Sequence, residues 1–306
     1  MTDPRDGSWA TGLHWHGGNA ALTVINNDGD ESSCPVRVGD PVSWRVHGPR
    51  RCVGVWLATA GRRQQCPHQV IIDRTGSQSQ CPGCAGRDPG RALARDATPN
   101  DPRTFALYLA WYGDGLLKVG LTAAERGSDR LTEQGALAFT WLCRGPFQSI
   151  RAAEQQVAAT AVARERLHRN TKIAAYRRPG DSTLRHDQLA AAHQRLTTLL
   201  DWPPERIPAP LEIHDHTALF GLADPIAWPT QQITDLADDA VLAGSVTCLA
   251  GQDAIIAIDS VPTLIDLRLL AGRQLTAGHG PGRGLTFRSL TMPGTSQDDH
   301  AQQALF

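Results

Sequence analysis

Four of the seven cysteines stand at spacings that suit a metal ion: Cys52, then Cys66 after thirteen residues, then Cys81-Pro82-Gly83-Cys84 after fourteen more. A Cys-x-x-Cys knuckle puts two thiolates on one tight turn, and two thiolates from a facing segment complete a tetrahedral site. The expected ligands of a structural zinc are therefore Cys52, Cys66, Cys81 and Cys84. His68, in Cys66-Pro67-His68, is the alternative to Cys66, although thiolates dominate closed structural sites. A redox pair of Cys81 and Cys84 is a further reading, without the flanking strand and helix that such pairs use. Arg50, Arg51, Arg62 and Arg63 surround the cysteines, and Arg166, Arg169 and Lys172 crowd a later helix; all seven are candidates for following phosphates of DNA or RNA. Glu212-Ile213-His214-Asp215-His216 offers two imidazoles and carboxylates, but on a strand His214 and His216 share one face with no third ligand in reach, so no second metal is expected there.

The element that must carry further chemistry runs from Thr104 to Gly135. Phe105 to Trp111 is apolar and aromatic, Gly113-Asp114-Gly115 is turn chemistry, and Leu116 to Leu121 resumes the apolar run, which predicts a β-hairpin leading into a helix. A third apolar segment, Ala136 to Leu142, ends at Gly145-Pro146. Ile150, Ala153, Glu154, Val157, Ala161 and Val162 then recur at helical spacings. Ala106-Leu107-Tyr108, followed ten positions later by Lys118-Val119-Gly120, with Thr122 and Arg130 beyond, resembles the GIY-YIG nuclease superfamily, whose two tripeptides sit on adjacent strands of one hairpin. Lys118 stands where that family has its second tyrosine, as in some of its branches. With the Cys-rich block and Arg130…Glu133-Gln134-Gly135-Ala136 added, the chain more narrowly resembles a bacterial and archaeal group, the domain of unknown function family 2797.

The first resemblance implies metal-dependent hydrolysis of a nucleic-acid phosphodiester. Such chemistry needs an in-line water, stabilised charge on the non-bridging oxygens and help for the leaving oxygen. By resemblance, Glu154 holds Mg2+ or Mn2+, since a lone carboxylate with waters suits a hard cation. Arg130 grips the phosphate, and Tyr108 hydrogen-bonds to the attacking water or deprotonates it. Lys118 acts as a base or stays charged and stabilises the pentavalent phosphorus. Tyr112 is a substitute for the missing tyrosine.

Composition frames these sites. Of 30 basic residues only Lys118 and Lys172 are lysines, and two of the three tyrosines lie in the hairpin. Residues 40–94 carry a net charge of +5, residues 101–178 another +5, and residues 201–306 carry −8. A basic front and an acidic back predict a molecule that meets a polyanion with one side. No run of about 18 apolar residues appears, and the start lacks a signal-peptide pattern, so a cytoplasmic protein with no membrane partner is expected. The predicted architecture is α+β. Its parts are an N-terminal β segment (1–50), a zinc-binding Cys module (51–95), a GIY-YIG-like domain with a three-stranded sheet and helices (104–200), a C-terminal antiparallel β domain (205–292) and a polar tail (293–306). Residues 1–10 read as disordered and 85–103 as a linker. Three functions follow from these features: a metal-dependent endonuclease, a zinc-containing nucleic-acid-binding protein without hydrolysis, and a protein acting on a small molecule.

Overall fold

A computed structural model of the chain describes residues 8–26, 29–57, 62–88 and 101–290. Most of the expected disordered start, most of the linker and the polar tail lie outside these residues. Trp9 and Ala10 correct the first expectation: they open a strand, and Ala10 is fully buried.

The first segment forms β1 (Trp9–His16), β2 (Asn19–Ile25), β3 (Glu31–Pro35) and β4 (Pro41–His47). The cysteine module adds β5 (Val55–Leu57), β6 (Arg62–Gln64) and a single turn of helix, α1 (Pro82–Gly86). The central unit follows with β7 (Thr104–Trp111), β8 (Leu117–Ala123), α2 (Asp129–Glu133), β9 (Ala138–Pro146), α3 (Phe147–Ala159), α4 (Arg169–Tyr176) and α5 (Ser182–Leu199). Short strands β10 (Ile207–Pro208) and β11 (His214–Asp215) lead to β12 (Gln231–Ala250), β13 (Asp253–Ile258), β14 (Val261–Asp266), β15 (Gln274–Ala277) and β16 (Arg283–Ser289). The result is an α+β molecule, mostly sheet, with a cluster of four cysteines.

In the central sheet β7 lies between β8 and β9, both antiparallel to it. Phe105, Leu107, Leu109 and Trp111 alternate with Tyr108, Ala110 and Tyr112, and all are buried. Both faces of β7 are therefore covered, which is why its sequence is a continuous apolar run rather than an alternation. Helix α3 buries Ile150, Ala153 and Val157, and α5 buries Leu189, Ala192 and Leu196, each set at spacings of three and four. The hairpin turn closes through Leu116 N–H to Gly113 O at 2.9 Å, with Gly115 at φ +66, a conformation that favours glycine. Beyond the three expected strands, β10 and β11 add to the outer edge of β9 and satisfy its backbone groups. The central sheet thus reaches residue 215, past the boundary expected near 200.

The first and last segments of the chain build one nine-stranded sheet, because β15 pairs with both β1 and β4, and β4 pairs with β12. The C-terminal sheet is not antiparallel throughout. β12 is twenty residues long, and its two halves flank the β13–β14 hairpin, so its first half meets β14 running parallel.

Candidate functional site

The chain after α3 returns to the hairpin. Val119 N–H donates to Arg164 O and Arg164 N–H to Leu117 O, each at 3.0 Å, which delivers α4 to the edge of β8. The consequence is a cluster around Tyr108. Its ring is buried edge-on against Trp141, and Tyr108 faces Gly120 in the strand register. A Cβ at Gly120 would overlap the Tyr108 hydroxyl and come within 2.9 Å of Lys118 Nζ, so the glycine makes room for both groups. Lys118 Nζ donates to Tyr108 Oη at 3.2 Å and to Val119 O at 3.2 Å, and Gln134 Nε2 donates to the same Oη at 2.8 Å. Two donors occupy the oxygen's acceptor capacity, so the phenol proton is left to point at a third group.

Lys172 of α4 completes the cluster. Its Nζ donates to Gln134 O at 3.0 Å and sits 4.5 Å from the centre of the Tyr112 ring. Burial, then the charge of Lys118, hold the Lys172 ammonium down at about 8, with Asp253 acting in the opposite sense. Tyr112 is fully buried, and burial followed by the nearby Tyr108 pushes its hydroxyl well above the usual value. Its Oη has no hydrogen-bond partner among the described residues. Tyr176, the third tyrosine, donates to Gly135 O at 2.7 Å. Both lysines and all three tyrosines of the chain therefore gather about Gln134 and Gly135.

Arg130 is exposed on α2, 3.6 Å from Glu133, and its charge acts on Lys172 and Tyr112. Glu154 is buried on α3 and paired with Arg151 one turn earlier. Burial raises its carboxyl above the ordinary value, against the opposing pull of Arg151 and then Lys118. As it stands, the donor set does not fit Mg2+ or Mn2+: a hard cation needs open carboxylate oxygens and water, and Arg151 holds that carboxylate.

The four cysteines do converge. All are buried and their sulfurs lie within 4.8 Å of one another, a set that can hold a metal such as zinc. Metal–sulfur bonds of about 2.3 Å in a tetrahedron put sulfurs just under 4 Å apart, and Cys66 and Cys81 are 4.0 Å apart. Burial raises the Cys52 thiol above its ordinary value, opposed by the backbone N–H groups of Cys81 and Gly54, which point at its Sγ at 3.2 and 3.4 Å. His68 is exposed and outside the group, and Cys81 and Cys84 are not set apart as a pair.

The expected phosphate-binding arginines divide. Arg50 is a correction: it is buried, and its guanidinium donates to the carbonyls of Ala271, Asp73, Gly76 and Arg268, which commits four of its five N–H groups to backbone oxygens. Arg63 pairs with Glu31 at 3.0 Å, and Arg169 with Asp253 and, at 3.6 Å, with Asp266. Arg51 lies over the Trp9 ring and donates to Gln69. Arg62 and Arg166 are exposed. His214 stacks on Phe139, and His216 bonds Ala136 O through Nδ1, at 3.0 Å, so these imidazoles serve packing. Gln134 was not among the expected site residues. No spacing rule singles it out, whereas Lys172 stood out within the basic cluster that it shares with Arg166 and Arg169.

A cavity of about 630 Å3, lined among others by Arg103, Arg144 and Glu205, opens at the Thr104 end of the sheet, away from the Tyr108 cluster. Among the described residues no helix is long and apolar enough to cross a membrane. No curated protein and no solved structure matches the chain. The family described as "Protein of unknown function (DUF2797)" matches residues 63–275, well over half the chain, including three of the four clustered cysteines and the whole hairpin, and the protein belongs to that family.

Proposed function

We propose that the central unit is GIY-YIG-like and engages nucleic-acid phosphodiesters at the Tyr108 cluster, hydrolysing them, while the four cysteines hold a structural zinc. The observation that carries this reading is the double donation from Lys118 and Gln134 to Tyr108 Oη opposite Gly120. It fixes a phenol proton and an ammonium side by side, with Arg130 and Lys172 close enough to add positive charge. A phosphate entering there meets cations that stabilise charge growing on its non-bridging oxygens, and a hydroxyl that orients a water or a leaving oxygen. Glu154, held by Arg151, adds a carboxylate whose charge reaches Lys118.

That same Arg151–Glu154 pair favours a second reading, in which the protein binds nucleic acid through its basic face and does not cleave it. Incubation with supercoiled plasmid and structured RNA in Mg2+ or Mn2+ separates the two. The first reading expects cleavage that Tyr108→Phe and Lys118→Gln each reduce at least tenfold. Binding without any cleavage supports the second, and neither binding nor cleavage contradicts both.

A further inference from the structure

The chain's two lysines come from different elements, β8 and α4, yet the fold brings both to one residue. Lys118 reaches Gln134 through the Tyr108 hydroxyl, and Lys172 contacts its backbone oxygen directly. Among the described residues neither ammonium has a carboxylate within ion-pair distance; the charge of Glu154 reaches Lys118 from α3, but that carboxylate is held by Arg151. Asp253, whose charge reaches Lys172, is committed to Arg169. Lys172 lies over the ring of Tyr112, whose buried hydroxyl has no hydrogen-bond partner among the described residues. Two half-buried cations brought together beside an apolar, fully buried tyrosine are costly unless an anion joins them.

We propose that Lys118 and Lys172 together bind a single phosphate group across Gln134, with Lys172 as a phosphate ligand supplied from outside the hairpin. The proposal rests on the phosphodiester reading above and deepens it, because it names a ligand that the paired tripeptides do not include. The groups whose charges reach Lys172 are Lys118 on β8, Arg130 on α2, Asp253 on β13 and Arg268 after β14. Three of these four are cations, and a bound anion offsets them. Anion binding therefore raises the proton affinity of the Lys172 amine.

The scarcity of lysine makes this measurable in the full-length protein. Reductive methylation with 13C-formaldehyde labels two Nζ groups and the terminal amine, and the Lys172 resonance is the one absent from Lys172→Arg. We expect that resonance to move on adding inorganic phosphate or sulfate, and its titration midpoint to rise by about one unit. In calorimetric titrations with the same anions, Lys118→Gln and Lys172→Gln should each weaken binding about tenfold. A Lys172 resonance that titrates but ignores both anions overturns the proposal, leaving an amine that only braces α2. If the buried amine escapes methylation, calorimetry decides, and equal anion affinity in wild type and a folded Lys172→Gln overturns it. Anion binding at Lys172 without cleavage would reject hydrolysis and keep this site. Cleavage with an indifferent Lys172 would reject this site alone.

Discussion

Tyr108 and Gly120 are complementary shapes. The phenol lies where a side chain on the opposite strand would otherwise stand, so Gly120→Ala must displace Tyr108, Lys118 or the strand itself. A loss on the order of 1–3 kcal/mol in chemical unfolding is expected, and Tyr108→Phe should cost about 1 kcal/mol by stripping Lys118 and Gln134 of a shared acceptor. Lys172 carries the pH dependence. Its folded value of about 8 lies below the ordinary 10.5, so the unfolded chain binds the extra proton and stability rises with pH between these values. Melting followed from pH 7 to 10 should show Lys172→Met more stable than wild type at neutral pH, with the difference shrinking above about pH 8. A constant difference would mean that Lys172 is not held down in the fold. Tyr108, Lys118 and Arg130 were singled out by resemblance, and the cross-strand placement of Tyr108 opposite Gly120 was legible because hairpin turn chemistry and apolar runs fix strand register from local residues. Gln134 was not, since its contacts depend on which element returns to pack beside it.

At the scale of elements, two arginines join units that the sequence keeps far apart. Arg169 of α4 meets Asp253 of β13, and burial lifts the Asp253 carboxyl to about 6. Arg169→Met leaves that carboxylate buried and unpaired, at a cost toward the lower end of about 3–5 kcal/mol. The loss should be smallest below about pH 6, where Asp253 takes up a proton, and largest above it, as denaturant titrations at two pH values would show. Arg50 clamps the cysteine module to the segment 268–271 through four kinds of carbonyl contact, two of them within the module itself. Its surroundings explain why a basic residue next to a cysteine read as a phosphate ligand. Charge and position along the chain are visible in a sequence, whereas the burial that commits the guanidinium to backbone oxygens arises only when β15 docks between β1 and β4. The parallel meeting of β12 and β14 escaped for a related reason, because it depends on a twenty-residue strand flanking one hairpin with both its halves.

For the whole molecule, the cysteine cluster and the Tyr108 cluster are separate devices in one scaffold. The small module owns little apolar core beyond Val55 and its own sulfurs, with Leu57, Val70 and Ile72 partly buried beside them, so metal binding would supply its folding energy. Chelation or Cys81→Ser should remove bound zinc and lower the melting temperature by several degrees, because the Arg50 clamp transmits the loss to the nine-stranded sheet. A zinc-free protein with unchanged melting would contradict that role. The charge asymmetry was open to reading from the sequence alone, but which cations stay free was not. Arg50, Arg63 and Arg169 are spent internally, whereas Arg62, Arg130 and Arg166 are exposed and Lys118 and Lys172 are half-buried. The most direct test of the account is therefore filter binding of labelled single- and double-stranded nucleic acid across a salt series, with chelator present to block cleavage. The account predicts affinity that falls steeply with salt and a slope reduced by about one in Lys118→Gln; affinity indifferent to salt, or a slope untouched by that substitution, would contradict it.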